Sequence, residues 1–110
     1  MNLTNKTCVP CKGNIPPMNE QDEDRYIREI NQWTLLRNGT HRIAKQFKFG
    51  DFKQSMRFVN QIANLAESEG HHPDICIHYS IVDIELFTHA IGGLHENDFI
   101  VAAKIDQLAA

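Results

Sequence analysis

The sequence predicts an α+β fold, a two-layer sandwich in which helices cover one face of a four-stranded antiparallel sheet. Two observations predict it. The apolar spacing changes between the helical and the strand period in the order α-β-β-α-β-β-α, which no alternating βαβ unit produces. The chain's 110 residues, 42% of them hydrophobic, suffice for one two-layer core and are too few for two.

The chain up to Met18 holds three of the four prolines and little apolar periodicity, so residues 1–18 read as an irregular leader without its own core and 19–110 as the single domain. From Asn19, an acidic turn (Glu20, Asp22, Glu23, Asp24) leads into Tyr26, Ile27 and Ile30, the spacing of a short amphipathic helix. Residues 33–37 and 40–49 read as strands, with Ile43, Phe47 and Phe49 alternating with polar neighbours in the second. Asn38-Gly39 between them signals a tight hairpin with positive φ at both central residues. Over 51–69 the period becomes helical: Phe52, Met56, Val59, Ala63 and Ala66 form a stripe bordered by Ile62 and Leu65, and Gly70 offers the stop. A strand over 74–80 sets Ile75, Ile77 and Tyr79 on one face, with Tyr79 read as core. A strand over 81–88 does the same with Val82, Ile84 and Leu86. The last helix runs from Glu96 to Ala109 with Val101, Ile105 and Leu108 at helical spacing. The uncovered sheet face or an edge strand is where subunits would meet.

A formal net charge of -3 without a basic stripe argues against binding nucleic-acid phosphates or an acidic membrane surface. No stretch approaches the roughly 20 apolar residues of a membrane span, and Met1 to Lys6 lack the apolar run of a secretory signal; a cytoplasmic location is expected. Three cysteines, Cys8, Cys11 and Cys76, fit free thiols in a reducing compartment better than a disulfide framework.

The chemistry concentrates in the histidines. His71 and His72 stand at a helix-to-strand junction, and Pro73 holds His72 extended, so the two rings leave the chain in different directions. His89 lies past the last strand. In an antiparallel pair the end of that strand lies beside the start of the preceding one, which returns His89 to His71 and His72. Imidazole titrates near ~6.5, so three such rings form a candidate proton-transfer site. Glu67 could hold one imidazole in a fixed tautomer, and Asp98 sits in the first turn of the last helix, where it is equally suited to complementing the helix dipole.

The run Glu67-Ser68-Glu69-Gly70-His71-His72-Pro73-Asp74, with Tyr79, His89 and Asp98 at these intervals, resembles the signature of the pterin-4a-carbinolamine dehydratase family. The resemblance extends to Trp33 and to Gly93-Leu94, covering about 19–108 and leaving out the leader. It implies two ββα units with helices on one sheet face. It also implies dehydration of a 4a-hydroxytetrahydropterin to the quinonoid dihydropterin, recycling the cofactor of aromatic amino acid hydroxylases without metal, flavin or nucleotide. Carried over, His71 and His89 are acid and base and His72 orients the pterin. By the same resemblance Glu67 and Asp98 would support the histidines or hydrogen-bond the pterin edge, Trp33 would be an aromatic pocket wall, Pro73 belongs to the motif, and a homodimer or homotetramer is expected. His95 stands where the family often has Ser or Thr, which puts that helix cap in doubt.

Other readings compete. Taken singly, each histidine reads as an ordinary strand-end residue, and His41, His78 and His95 receive no function. Zinc is a minor alternative, because adjacent His71 and His72 lack the i, i+4 spacing by which a helix presents two ligands. Cys8-Val9-Pro10-Cys11 lacks a second pair or a βαβ context and reads as a flexible segment. The alternative function is a protein-binding module without turnover, like relatives that serve as dimerisation cofactors of a transcription factor. An exposed apolar stripe on the long helix would favour it.

Overall fold

The structure, a computed structural model, describes Met1–Ala110. Its elements are α1 (Glu20–Ile27), β1 (Thr34–Leu36), β2 (Arg42–Lys48), α2 (Phe52–Glu69), β3 (Asp74–His78), β4 (Ile81–Leu86) and α3 (Glu96–Ala109), with 3₁₀ turns at Leu3–Asn5 and His89–Ile91. The α-β-β-α-β-β-α order is the predicted one. The strands form one antiparallel sheet in the order β1-β2-β4-β3.

Strand alternation gives the sheet its two faces. Ile43 and Phe47 of β2 and Val82, Ile84 and Leu86 of β4 are buried on one face, in a single cluster with Phe58 and Ile62 of α2 and Phe99 and Ile105 of α3. Ala44, Gln46, Asp83 and Glu85 occupy the opposite, uncovered face, where Gln46 donates to Asp83 across the strands at 2.8 Å.

Helix boundaries follow from local chemistry. Asn19 caps α1 by accepting the Asp22 N–H, and Asp51 caps α2 by accepting the Gln54 N–H. Gly70 ends α2 in the left-handed region at φ 65°, where a Cβ would add strain. His95 does cap α3: its Nδ1 accepts the Asn97 N–H at 2.9 Å, while Asp98 reaches back to the His95 N–H at 3.0 Å. The doubt about that cap is resolved in favour of an imidazole acceptor.

Four expectations are corrected. The first hairpin is not tight: Leu36 pairs with Arg42, leaving a five-residue connection in which Gly39, and not Asn38, has positive φ. Arg37 donates to Glu23 and Asp24 of α1, so the loop serves a tertiary ion-pair network as well as strand reversal. The tight turn is instead Tyr79-Ser80, since His78 pairs with Ile81. Tyr79 therefore leaves the core, 66% exposed at φ 56°, with its ring stacked on Phe52. The buried face of α2 is rotated from the predicted stripe, running through Ser55, Phe58, Ile62 and Ala66. Phe58 sets that face, its ring centroid 4.8 Å from Phe47 and 5.0 Å from Phe49, whereas Phe52 stays exposed. Lastly, the leader is not a loose segment. Leu3 is buried in the main cluster, and the Met18 N–H donates to the Leu94 carbonyl at 2.8 Å.

Candidate active site

A cavity of about 290 Å³ opens at the end of the sheet where β3 begins and β4 ends. His71, His72, Pro73, Phe87, Thr88 and His89 contribute to its lining. The left-handed turn at Gly70 brings this about, because it reverses the chain off α2 and lets the His71 N–H return to the Ala66 carbonyl at 3.2 Å. The antiparallel register then carries the end of β4 alongside the start of β3.

Asp98 is the hub. It is fully buried at the start of α3, and its Oδ1 lies 2.6 Å from His71 Nε2. Its Oδ2 accepts the Thr88 hydroxyl at 2.8 Å and the His95 N–H at 3.0 Å. A carboxylate that receives donors on both oxygens is acting as an acceptor throughout, so Nε2 of His71 is the donor, and in the neutral imidazole Nδ1 keeps the lone pair. His71 itself is mostly buried, its side chain 11% exposed.

His72 points elsewhere. Its Nε2 meets Glu67 Oε2 at 2.5 Å in a pair whose side chains are both well exposed, so the two adjacent rings diverge as Pro73 requires. His89 occupies the 3₁₀ turn after β4 and packs on Phe87 with ring centroids 4.1 Å apart. The cavity thus combines a buried, carboxylate-oriented imidazole, an exposed carboxylate-paired one, and a third held by an aromatic face.

Of the sequence candidates, His71, His72, Pro73 and His89 line this cavity, with Asp98 bonded to His71 and Glu67 to His72. Trp33 does not line it. It precedes β1, at the far side of the sheet from β3, and is buried with its Nε1 donating to Asp106 at 3.0 Å. Its indole N–H finds a carboxylate of α3, and the aromatic residue that lines the cavity is Phe87. Sequence reading also missed Val9, Cys11 and Asn97, which line the same cavity. Their one signal, the Cys-x-x-Cys leader, says nothing of where it docks.

The surroundings of Cys8 disfavour its thiolate. Burial, then the neighbouring Glu69 carboxylate, push the Cys8 thiol up to about 12, leaving almost no thiolate near neutrality. Burial would raise Glu69, but the Cys8 N–H and Lys104 outweigh it and hold Glu69 below the usual carboxylate range. No group of three or more His, Cys, Asp or Glu side chains is placed to hold a metal ion, and no helix is long and apolar enough to cross a membrane.

Residues 16–108 match the family described as Pterin 4 alpha carbinolamine dehydratase. The chain belongs to the pterin-4a-carbinolamine dehydratase family. Members of this dehydratase family are hydro-lyases, and the similarity runs the full length of the chain. A Halorhodospira halophila protein named "Putative pterin-4-alpha-carbinolamine dehydratase" is 44% identical over 110 residues, all of both chains. A protein of the same name from Aromatoleum aromaticum is 46% identical over 97% of this chain and 95% of its own. Full-length similarity means that the leader, outside the resemblance read from sequence, is shared with at least the first of these dehydratase relatives. Among solved structures, the transcriptional coactivator/pterin dehydratase of Brucella melitensis superposes with a TM-score of 0.80 at 31% identity, over 86% of this chain and 99% of that one. A pterin dehydratase-like protein identified as a RuBisCO assembly factor in the alpha-carboxysome gives 0.63 at 28% identity, over 73% and 92%.

Proposed function

We propose that the protein dehydrates a 4a-hydroxytetrahydropterin to the quinonoid dihydropterin, with His71 as general base and His89 as general acid. The observation that supports this assignment is the hydrogen bond from His71 to buried Asp98 at 2.6 Å. It leaves Nδ1 of His71 free to take the proton from the pterin N5. The N5 electron pair then forms the C4a=N5 bond as the C4a–O bond breaks. His89, which has no fixed carboxylate partner, gives its proton to the departing hydroxyl, and water leaves. His72, steered by Glu67, holds the polar edge of the pterin, and Phe87 covers a ring face. The product suits return to an aromatic amino acid hydroxylase after reduction. Homo-oligomerisation belongs to the same reading, supported by the free outer edges of β1 and β3.

The test is stopped-flow decay of 4a-hydroxytetrahydropterin with the chelator-treated protein and with His71→Ala, His89→Ala and His72→Ala. Acceleration that survives chelation and falls about 10²-fold or more in the first two variants supports the proposal. His72→Ala should raise KM more than it lowers kcat. A chelation-sensitive rate overturns the metal-free mechanism, and wild-type rates in all three variants overturn the residue assignment. A second reading, a protein-binding module without turnover, draws on the coactivator and assembly-factor names of the two structural relatives and on the exposed Phe52–Tyr79 stack beside the start of α2. Absence of any acceleration favours it.

A further inference from the structure

The leader crosses the histidine cavity on fixed tethers. The Cys8 N–H donates to Glu69 Oε1 at 2.8 Å, and Glu69 is itself clamped by Lys104 at 2.6 Å, with both side chains largely buried. At Val9 both backbone groups are bound by one side chain: the N–H donates to Asn97 Oδ1 at 3.0 Å and the carbonyl accepts Asn97 Nδ2 at 2.7 Å. Asn97 is 2% exposed, so losing either partner would strand a buried amide group. Further along, Gly13 at φ 79° lies so near the Ala90 carbonyl that a Cβ would stand 2.9 Å from the oxygen.

Each tether is next to a residue of the proposed machinery. Glu69 is two residues before His71, Asn97 adjoins Asp98, and Ala90 follows His89. The first turn of α3 therefore aims His71 through Asp98 and seats the leader through Asn97. What the tethered segment brings to the cavity is Val9 and half-buried Cys11. Val9 is 56% exposed while its backbone is fully bonded, so an apolar side chain faces the cavity without a protein partner to cover it. A flat heteroaromatic ring with a polar edge and apolar faces suits such a wall opposite the histidines.

We propose that the leader is a wall of the substrate site: Val9 and Cys11 contact the bound pterin, and Asn97 is the positioning residue that holds them there. The inference rests on the function proposed above and adds a binding element to it. Cys11 supplies its own probe. In a Cys76→Ser protein, alkylation of Cys11 by iodoacetamide is followed by peptide mass with and without 7,8-dihydropterin, a stable relative of the substrate. At ten times its Kd this ligand should slow Cys11 alkylation about tenfold. In parallel, Val9→Ala should raise KM for the 4a-hydroxytetrahydropterin about tenfold while kcat stays within about twofold, the pattern of a lost binding contact. Asn97→Ala should show the same split together with faster amide exchange at Val9. Should that variant fail to fold, Val9→Ala and the alkylation still decide. Turnover by the wild type with Cys11 unprotected and KM unchanged in Val9→Ala overturns the leader proposal alone. Neither turnover nor protection in the wild type overturns both it and the proposed function.

Discussion

Asp98 fixes the hydrogen bonding of His71. Three donors converge on its two oxygens, and two of them, His71 Nε2–H and the Thr88 hydroxyl, belong to residues that line the cavity. Replacing the carboxylate by an amide keeps the shape but supplies an NH₂ where an acceptor was, so His71 must turn over its tautomer and present N–H instead of a lone pair to the substrate. Asp98→Asn should therefore lower kcat about 10²-fold to 10⁴-fold with little change in KM, measured by steady-state dehydration. An unchanged kcat would show that the tautomer of His71 does not matter. Phe87 and Trp33 make the complementary point: an aromatic side chain takes its role from what surrounds it, and Trp33 found Asp106 and Phe47 in the core.

At the scale of elements, α3 is the organising piece. Its first half is buried nearly all round, from Asn97 to Ala102, because the sheet, α1 through the Tyr26–Phe99 contact, and the leader through Leu3 cover different sides. A helix so placed depends on a sound start. His95→Ala should cost about 1 kcal/mol in urea denaturation, and His95→Ser should recover most of it, the ordinary worth of an N-cap. The leader is fastened to the ends of α2 and α3 by two carboxylates held below their usual range. Hydrogen bonds from Lys6 and Tyr26 lower Glu96, and those from Cys8 and Lys104 lower Glu69 against the opposing effect of burial. A carboxyl group whose folded value is depressed stabilises fully above its ordinary value of 4.5 and loses that contribution as the pH falls through the folded value. Acidification below about pH 4.5 should thus loosen the leader before the sheet, seen as faster amide exchange at Val9 and Met18 than in β2 and β4. Simultaneous exchange of all of them would show that these carboxylates are not what fastens it.

For the whole molecule, the sheet has helices on one face only, and its outermost strands, β1 and β3, each leave one edge unpaired. Free edges and an uncovered face are where a second copy can add strands or stack. Light scattering should give a dimer or tetramer at micromolar concentration; a monomer would remove the oligomeric part of the proposal. The open face carries Gln46, Asp83 and Glu85, so association there would need to satisfy these groups, whereas strand pairing at an edge uses backbone alone.

The sequence alone determined the order of elements, the strand faces of Ile43, Val82, Ile84 and Leu86, the extent of α3, and the return of His89 to His71 and His72. These follow from short-range periodicity, from stops such as Gly70, and from the fixed geometry of an antiparallel pair, all of which are written locally. Tertiary structure alone decided which residues the histidines bond to, which side of α2 is buried, and where the leader lies. The rotation of α2 depends on Phe58 meeting Phe47 and Phe49 from strand β2 and its end, and the leader's seat depends on Asn97, 88 residues further along the chain from Val9. Such contacts form between distant segments whose pairing leaves no period in the sequence, so a leader that looks irregular by itself becomes ordered through the partners the fold brings to it.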